Sequence, residues 1–428
     1  MSEGGNKGIA LAARPMLGPK ETVAMLAALM ALNSFAIDAM IPALPEIGQQ
    51  LGVRNSNDTQ LVVVAYFLGF GATQLIWGPL ADRLGRRPIL AAGVALYSAF
   101  ALVCAIAGSF ELLIAARILQ GASAAVTRVL VVAMVRDLFE GEEMARVMSL
   151  TFMVFMVMPV LAPSIGQAIL LVAPWRAIFF VLATYGLLML SWALVRLPET
   201  LHPEYRRALE WRTIASASWE TLTEPQSRGY TLALTLVSGC LVAYIASIQQ
   251  IVAGAFHRPS AIGFVFAAVA APMALASWTN SRVVGTFGLR RVGHSGIAAL
   301  AIVTSIHAAV GWTGKESLTL FILLQGSAMV CFAFSSANLS TLAMEHMAAI
   351  AGTASSVQGV VGTIGGAIIG FAVGREFDGT AQPFLWGMSA CAVVAFVIIL
   401  LTEPKLLFAG PIRREAIPPE AAEPPPEI

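Results

Sequence analysis

Two ionisable residues sit inside long apolar stretches of this chain, and their chemistry bounds what the molecule can do. Asp38 is the one acid well inside a stretch of membrane-crossing length, 22–46, and Arg117 lies some six residues into another, 111–135. A charged side chain in hydrocarbon costs about 3 kcal/mol. Protonation makes a carboxylate neutral, so the energy of Asp38 depends on proton supply, as a proton-coupling site requires. Pro42 and Pro45 loosen the helix just beyond it and admit water. The alternative is a carboxylate near the outer end of its helix that reaches interfacial water or caps a neighbouring helix. Arg117 stays charged at any physiological pH. Its partner is Asp38 across a cavity, a backbone carbonyl or an anionic substrate group, or it simply ties two helices together. Arg128 follows eleven residues later, close to three helical turns, so both cations project on nearly the same face. It either favours anionic and zwitterionic substrates or snorkels toward water.

Other chemistries find no residues. The five histidines (His202, His257, His294, His307, His346) are dispersed, and no Ser/His/Asp or Cys/His set emerges. Cys104, Cys240, Cys331 and Cys391 all lie in apolar runs, a spacing that offers neither a metal site nor a disulfide framework. A nucleotide-binding Gly-x-x-x-x-Gly-Lys-Ser/Thr loop is absent from the sequence, which argues against ATP-driven work and against an enzyme. The expected energy source is a proton gradient with no cofactor, and the expected partners are a small molecule, protons and lipid, with no nucleic acid.

The elements that position these residues follow from composition. The 428 residues are 57% hydrophobic and 12% charged, with mean hydropathy +0.78. Soluble domains average about a quarter charged residues, so this is an integral membrane protein. The first nineteen residues are polar and Gly-rich, and no cleavable signal is expected. Twelve apolar runs are long enough to span: 22–46, 58–80, 88–108, 111–135, 145–172, 176–196, 229–253, 260–281, 293–312, 317–343, 350–374 and 381–402. With a cytoplasmic N-terminus, nineteen of the 26 Lys and Arg fall on the cytoplasmic side and five on the far side. The positive-inside rule therefore predicts both termini in the cytoplasm. The predicted organisation is a tail (1–21), a six-helix bundle (22–196), a cytoplasmic linker (197–228), a second bundle (229–402) and a disordered Pro/Glu-rich tail (403–428). Tyr205 to Leu222 mixes Arg206, Arg207 and Arg212 with Trp211 and Trp219, and is either a helix on the membrane face or a solvated linker.

Charges also concentrate between spans two and three, at Gly78-Pro79-Leu80-Ala81-Asp82-Arg83-Leu84-Gly85-Arg86-Arg87. Gly78 and Gly85 permit tight turns, Asp82 can accept from a helix N-terminus in the opposite half, and Arg86 can pair with Asp137. The loop reads as a gate latch, or as a topology determinant alone. A weaker copy carries Gly288 at an offset of 203 from Gly85, and Gln120-Gly121 repeats as Gln325-Gly326 at 205. Two pairs at nearly one offset indicate a duplicated bundle. Gly285 stands where Asp82 would repeat, so the latch is expected to be asymmetric.

The Gly78–Arg87 pattern resembles the loop signature between helices two and three of the major facilitator superfamily. Arg117-x-x-Gln120-Gly121 is similar to its helix-four motif, and Asp38 to Pro45 to the helix-one motif of its twelve-helix drug:proton antiporters. Arg136 to Gly141 and Pro159 to Gly166 resemble the bicyclomycin and chloramphenicol resistance branch. In span five only Pro163 and Gly166 match the antiporter motif, whose glycines are replaced by Met158, Ala162 and Gln167. With Pro159 they form either a bend that seals against proton leak or an ordinary kink. The resemblance implies an all-α protein of twelve transmembrane helices in two pseudo-symmetric six-helix bundles. It implies a proton-coupling role for Arg117, drug:proton exchange across a bacterial inner membrane, and a monomer. Position suggests a substrate cavity lined by Met30, Asn33, Tyr66, Gln120, Arg128, Tyr244, Gln249, Gln325, Asn338 and Gln358, although such groups also serve as helix–helix hydrogen bonds. Competing expectations are a proton symporter importing a small nutrient and a membrane sensor that no longer transports.

Overall fold

The computed structural model describes residues 18–201, 204 and 210–410, less the side chains at 19, 142, 145, 149 and 152–157. Residues 1–17 of the expected tail 1–21, 202–203 and 205–209 of the expected linker 197–228, and 411–428 of the expected tail 403–428 lie outside the described residues. Described secondary structure is entirely helical. The first half contains α1 (Pro19–Asp38), α2 (Leu44–Gln50), α3 (Leu61–Leu84), α4 (Arg86–Ala105), α5 (Phe110–Leu138), α6 (Gly141–Leu170) and α7 (Arg176–Arg196). After α8 (Trp211–Thr223) come α9 (Pro225–Gln250), α10 (Ile262–Phe287), α11 (Leu289–Trp312), α12 (Leu318–Ala343), α13 (Ala351–Arg375) and α14 (Gln382–Thr402). Eleven stretches of described residues are long and apolar enough to cross a membrane. The 30-residue α6 occupies the remaining place in chain order.

Span one is not one helix. It stops at Asp38, passes through a 3-10 turn at Ile41–Ala43 and resumes as α2. Pro42 and Pro45 sit in the first turns of the two later pieces, where a missing N–H costs little. Serine hydroxyls cap matching helices in the two halves: Ser109 accepts from Leu112 N–H at α5, and Ser317 from Leu320 N–H at α12. At the end of α9 the helix widens into one π-helical turn, Ile251–Ala255.

The packing repeats between halves. In the first half α3 packs on α5, α4 on α7 and α1 on α6; in the second α10 packs on α12, α11 on α14 and α9 on α13. The halves meet where α3 crosses α13 and α6 crosses α10. The linker helix α8 lies against α9 and α13, burying Ala217 and Thr221 while Trp211 and Trp219 stay exposed.

A single residue links α3 to α4, and a single residue links α10 to α11: Gly85 (φ 106°, ψ 152°) and Gly288 (φ 85°, ψ 152°). Side chains are excluded from that backbone region. At Gly85 a Cβ would also fall 2.5 Å from Glu199 Oε2. Gly85→Ala is therefore expected to cost about 1–3 kcal/mol. The check is the unfolding temperature of purified protein, with Gly78→Ala, whose Cβ would meet nothing closer than 3.6 Å, as the mild control.

Candidate functional site

Arg117 is reached through close backbone contact. A Cβ at Gly69 would lie 1.8 Å from the Ile118 carbonyl, and one at Gly121 would lie 2.0 Å from the Tyr66 carbonyl, so α3 and α5 touch main chain to main chain. That proximity lets Arg117 Nε donate to the Val62 carbonyl at 2.9 Å. Its Nη1 donates to the Ala36 carbonyl at 3.2 Å and to Gln120 Oε1 at 2.9 Å. The guanidinium lies 4.6 Å from the Tyr66 ring centroid and 5.8 Å from that of Phe179. Ala36 is two residues before the end of α1, among the carbonyls a helix cannot satisfy internally. A helix C-terminus carries partial negative charge, so a cation is favoured there. Arg117 thus caps α1 by its carbonyl rather than by the Asp38 carboxylate. Nη2 of Arg117 and Nε2 of Gln120 are buried without a partner.

Asp38 is the last residue of α1 and is 2% exposed, with Oδ1 unpartnered. It lies within electrostatic reach of two phenols, Tyr66 from the first half and Tyr244 from the second. The Tyr244 hydroxyl is likewise buried and unpartnered, as are Ser247 Oγ and Gln249 Oε1 on the same helix. Gly166 fixes the approach of α6 to this place: a Cβ there would sit 1.8 Å from the carbonyl of Ala39, the residue after Asp38. Pro163 is buried beside it, and Pro159 is half-buried one turn earlier. The residues brought together at the end of α1 are therefore Asp38, Arg117, Gln120, Tyr66, Tyr244 and Gly166.

Most polar residues expected in a substrate cavity instead join helices. Tyr66 Oη donates to Asn33 Oδ1 at 3.2 Å, and Asn33 Nδ2 donates to Thr127 Oγ1 at 2.7 Å, tying α3, α1 and α5. Asn338 donates to Asn280 at 2.7 Å, Gln358 to the Ala343 carbonyl at 3.1 Å, and Gln325 to Met388 sulfur at 3.6 Å. Met30 is fully packed. Arg128 differs: its side chain is exposed on α5.

The charged loop forms a cluster inside the first half. Arg86 pairs with Asp82 at 2.5 Å and with Asp137 at 3.1 Å. Asp82, expected to reach the opposite half, is held here by Arg86. Arg87 donates to the Leu194 carbonyl at 2.5 Å, and Arg83 is exposed. Glu199, which motif reading passes over, accepts from the N–H groups of Arg86 and Arg87 at 2.8 and 3.3 Å and so caps α4. The second half has its own cluster. Arg290 pairs with Glu345 at 2.6 Å and Glu403 at 2.9 Å, and Tyr230 Oη donates to Glu403 at 2.8 Å. Offsets of 204 relate Arg86 to Arg290 and Glu199 to Glu403, close to the glycine offset. That periodicity was the available signal. The expected asymmetry holds at Gly285, which faces open space, but Arg290 draws its acids from other elements.

The model of the Major Facilitator Superfamily matches residues 26–370. The chain belongs to that superfamily. Over 377 residues it is 31% identical to a bicyclomycin resistance protein homolog of Haemophilus influenzae, covering 86% of this chain and 93% of the relative. It is 32% identical to the MFS-type transporter YdgK of Bacillus subtilis over 86% of this chain and 91% of that one. Identity to the multidrug resistance protein MdtL of a Shewanella strain is 28%, covering 90% and 96%. The crystal structure of a D-xylose-proton symporter shares the fold with TM-score 0.71 at 14% identity, covering 89% of this chain and 97% of that one. The chain is a multi-pass membrane transporter rather than an enzyme.

The second cluster has a pH signature. Burial pushes the Glu403 carboxyl up, but hydrogen bonds from Arg290 and Tyr230 outweigh it and hold Glu403 below the usual glutamate value. Glu345 is held down by Arg290 and Gln226 against the same opposing burial. A lowered folded-state value contributes stability that is present above the ordinary carboxylate range and lost as pH falls through the folded value. Glu403→Gln is expected to cost about 1–3 kcal/mol at neutral pH, less than a fully buried pair because Glu345 is open to water. Thermal unfolding across pH 3–8 (about the carboxylate range and above) should show the difference from the parent shrinking toward the acid end.

Proposed function

We propose that the protein exports small amphipathic drugs from the cytoplasm in exchange for protons, with Asp38 as the proton carrier. The observation that carries this reading is a buried carboxyl with an unpartnered oxygen at a helix end, where the two halves face each other. The names of relatives at about 30% identity, concerned with bicyclomycin and multidrug resistance, support a drug as substrate. The arginine-rich end would face the cytoplasm by the positive-inside rule, placing the protein in the inner membrane with both termini inside.

Each part then has a task. On the acidic far side Asp38 takes a proton and becomes neutral, which suits its apolar surroundings. On the cytoplasmic side the proton leaves, and the Arg117 charge two residues along α1 stabilises the anion that remains. Drug and proton compete for one region, so the carrier exchanges them rather than leaking either. Arg128, an exposed fixed cation on α5 about three turns from Arg117, favours drugs with an acidic or zwitterionic group over purely cationic ones. The Arg86 and Arg290 clusters stiffen the cytoplasmic end of each half, and the halves rock about the site.

Everted vesicles whose lumen has been acidified by respiration provide the test. A pH-sensitive dye should report proton exit when a zwitterionic or neutral antibiotic is added. Asp38→Asn should abolish that response, and Asp38→Glu should retain part of it. An undiminished response in Asp38→Asn would sink Asp38 as the carrier. Absence of any response in the parent across cationic, zwitterionic and neutral drugs would sink drug exchange itself.

A further inference from the structure

At the end opposite the arginine clusters, side-chain amides join the two halves. Three pieces of chain converge there: the turn Ser56–Gln60 before α3, Gln250 at the end of α9, and the end of α13 at Gly374 with the residues after it. Gln60 is fully buried, and its Nε2 donates to the Gly374 carbonyl at 2.8 Å and to Gln250 Oε1 at 2.5 Å. Gln250 Nε2 donates to the Ser56 carbonyl at 3.3 Å and to Asn57 Oδ1 at 3.0 Å. Asn57 Nδ2 donates to the carbonyls of Arg375 at 2.9 Å and Phe377 at 2.8 Å. All six bonds run from one half to the other. Gly374 makes the room, because a Cβ there would fall 1.9 Å from Gln60 Oε1. At the other end, by contrast, the Arg86 and Arg290 ion pairs stay within their own halves.

We propose that Asn57, Gln60 and Gln250 form a charge-free latch that closes the far side of the carrier and must break in every transport cycle. The proposal rests on the reading of the chain as a two-half carrier and not on its substrate or its coupling ion. Neutral hydrogen bonds are individually modest, so six of them bias the closed arrangement without locking it. No atom in the latch ionises in the physiological range. Charged neighbours are present: Arg54 and Asp58 around the first turn, Glu46 on α2, His257 and Arg258 beyond α9, and Arg375, Glu376 and Asp378 beyond α13. They are exposed or half-exposed, and the latch takes only the main-chain carbonyl of Arg375. Closure is therefore indifferent to the acidity outside, which leaves the proton response to Asp38.

The test measures access, not transport. In a background with the four native cysteines replaced by alanine, Ser247→Cys serves as reporter. Ser247 is buried, unpartnered and within one turn of Gln250. A membrane-impermeant maleimide is added to right-side-out and to everted vesicles, with no drug and no gradient. Loss of latch bonds in Asn57→Ala/Gln60→Ala should speed labelling from the far side at least about fivefold, by the same factor at pH 5.5 and pH 8 (about neutral amide chemistry throughout). Gln60→Glu adds an internal control. Its protonated acid has one O–H, which can donate to the Gly374 carbonyl or to Gln250 Oε1, whereas its carboxylate can donate to neither, so labelling relative to the parent at the same pH should be slow at acid pH and fast at alkaline pH, reversibly in one preparation. Reversal excludes misfolding as the cause. Equal labelling of parent and double variant, or a ratio of Gln60→Glu to parent labelling that does not change with pH, overturns the latch. Loss of drug-driven proton exit in the earlier assay leaves this result untouched, so the two readings fail separately.

Discussion

The first half is arranged around one buried charge whose direct hydrogen-bond partners are dipoles rather than a carboxylate. A guanidinium taken out of water must be met by dipoles or π faces at close range. Arg117 obtains them from the carbonyls of Ala36 and Val62, from Gln120 and from the ring of Tyr66. Each partner belongs to a different constraint. Ala36 is available because α1 stops at Asp38, Val62 because Gly69 and Gly121 let α3 and α5 touch, and the Tyr66 ring because Asn33, itself anchored on Thr127, holds its hydroxyl. Asp38 shares that helix end, as the last residue of the helix whose Ala36 carbonyl Arg117 caps.

The two ends of the molecule use different physics. Ion pairs at the arginine-rich end are strong at short range, are screened by salt and respond to acid once their carboxylates protonate. Amides at the opposite end do neither. The charged clusters connect helices within one half, while the amides connect surfaces of different halves. A contact that breaks repeatedly is better made from several weak bonds than from one strong one, because each can be exchanged for water in turn.

Much of the architecture was legible in the sequence. Membrane-length apolar runs need only composition and length, and Gly85 and Gly288 advertise themselves because no other residue fits a one-residue link of that geometry. The Arg86–Asp137 contact was readable from charges at the ends of adjacent spans. Tertiary register decided the rest. Nothing local tells a polar residue that lines a cavity from one that bonds the next helix, so both roles stayed open for Asn33, Asn338 and Gln358, whose hydrogen bonds here tie helices together. The partner of Arg117 was open among three candidates, and a helix break too short to register in hydropathy selected the carbonyl. Glu199 and Glu403 lie just outside the apolar runs, where attention to spans overlooks them, and Asn57, Gln60 and Gln250 belong to no charge pattern at all.

The one-glycine links have a consequence for how the chain is made. With a single residue between α3 and α4, neither helix can cross a bilayer while the other waits in water, because there is no slack to bridge even the headgroup layer. They must enter as a preformed hairpin, with the arginine-bearing tip staying on one side of the bilayer throughout. The same holds for α10 and α11 around Gly288. Biogenesis of each half thus contains one obligatory paired insertion, and lengthening either link would change the order of assembly before it changed the finished structure.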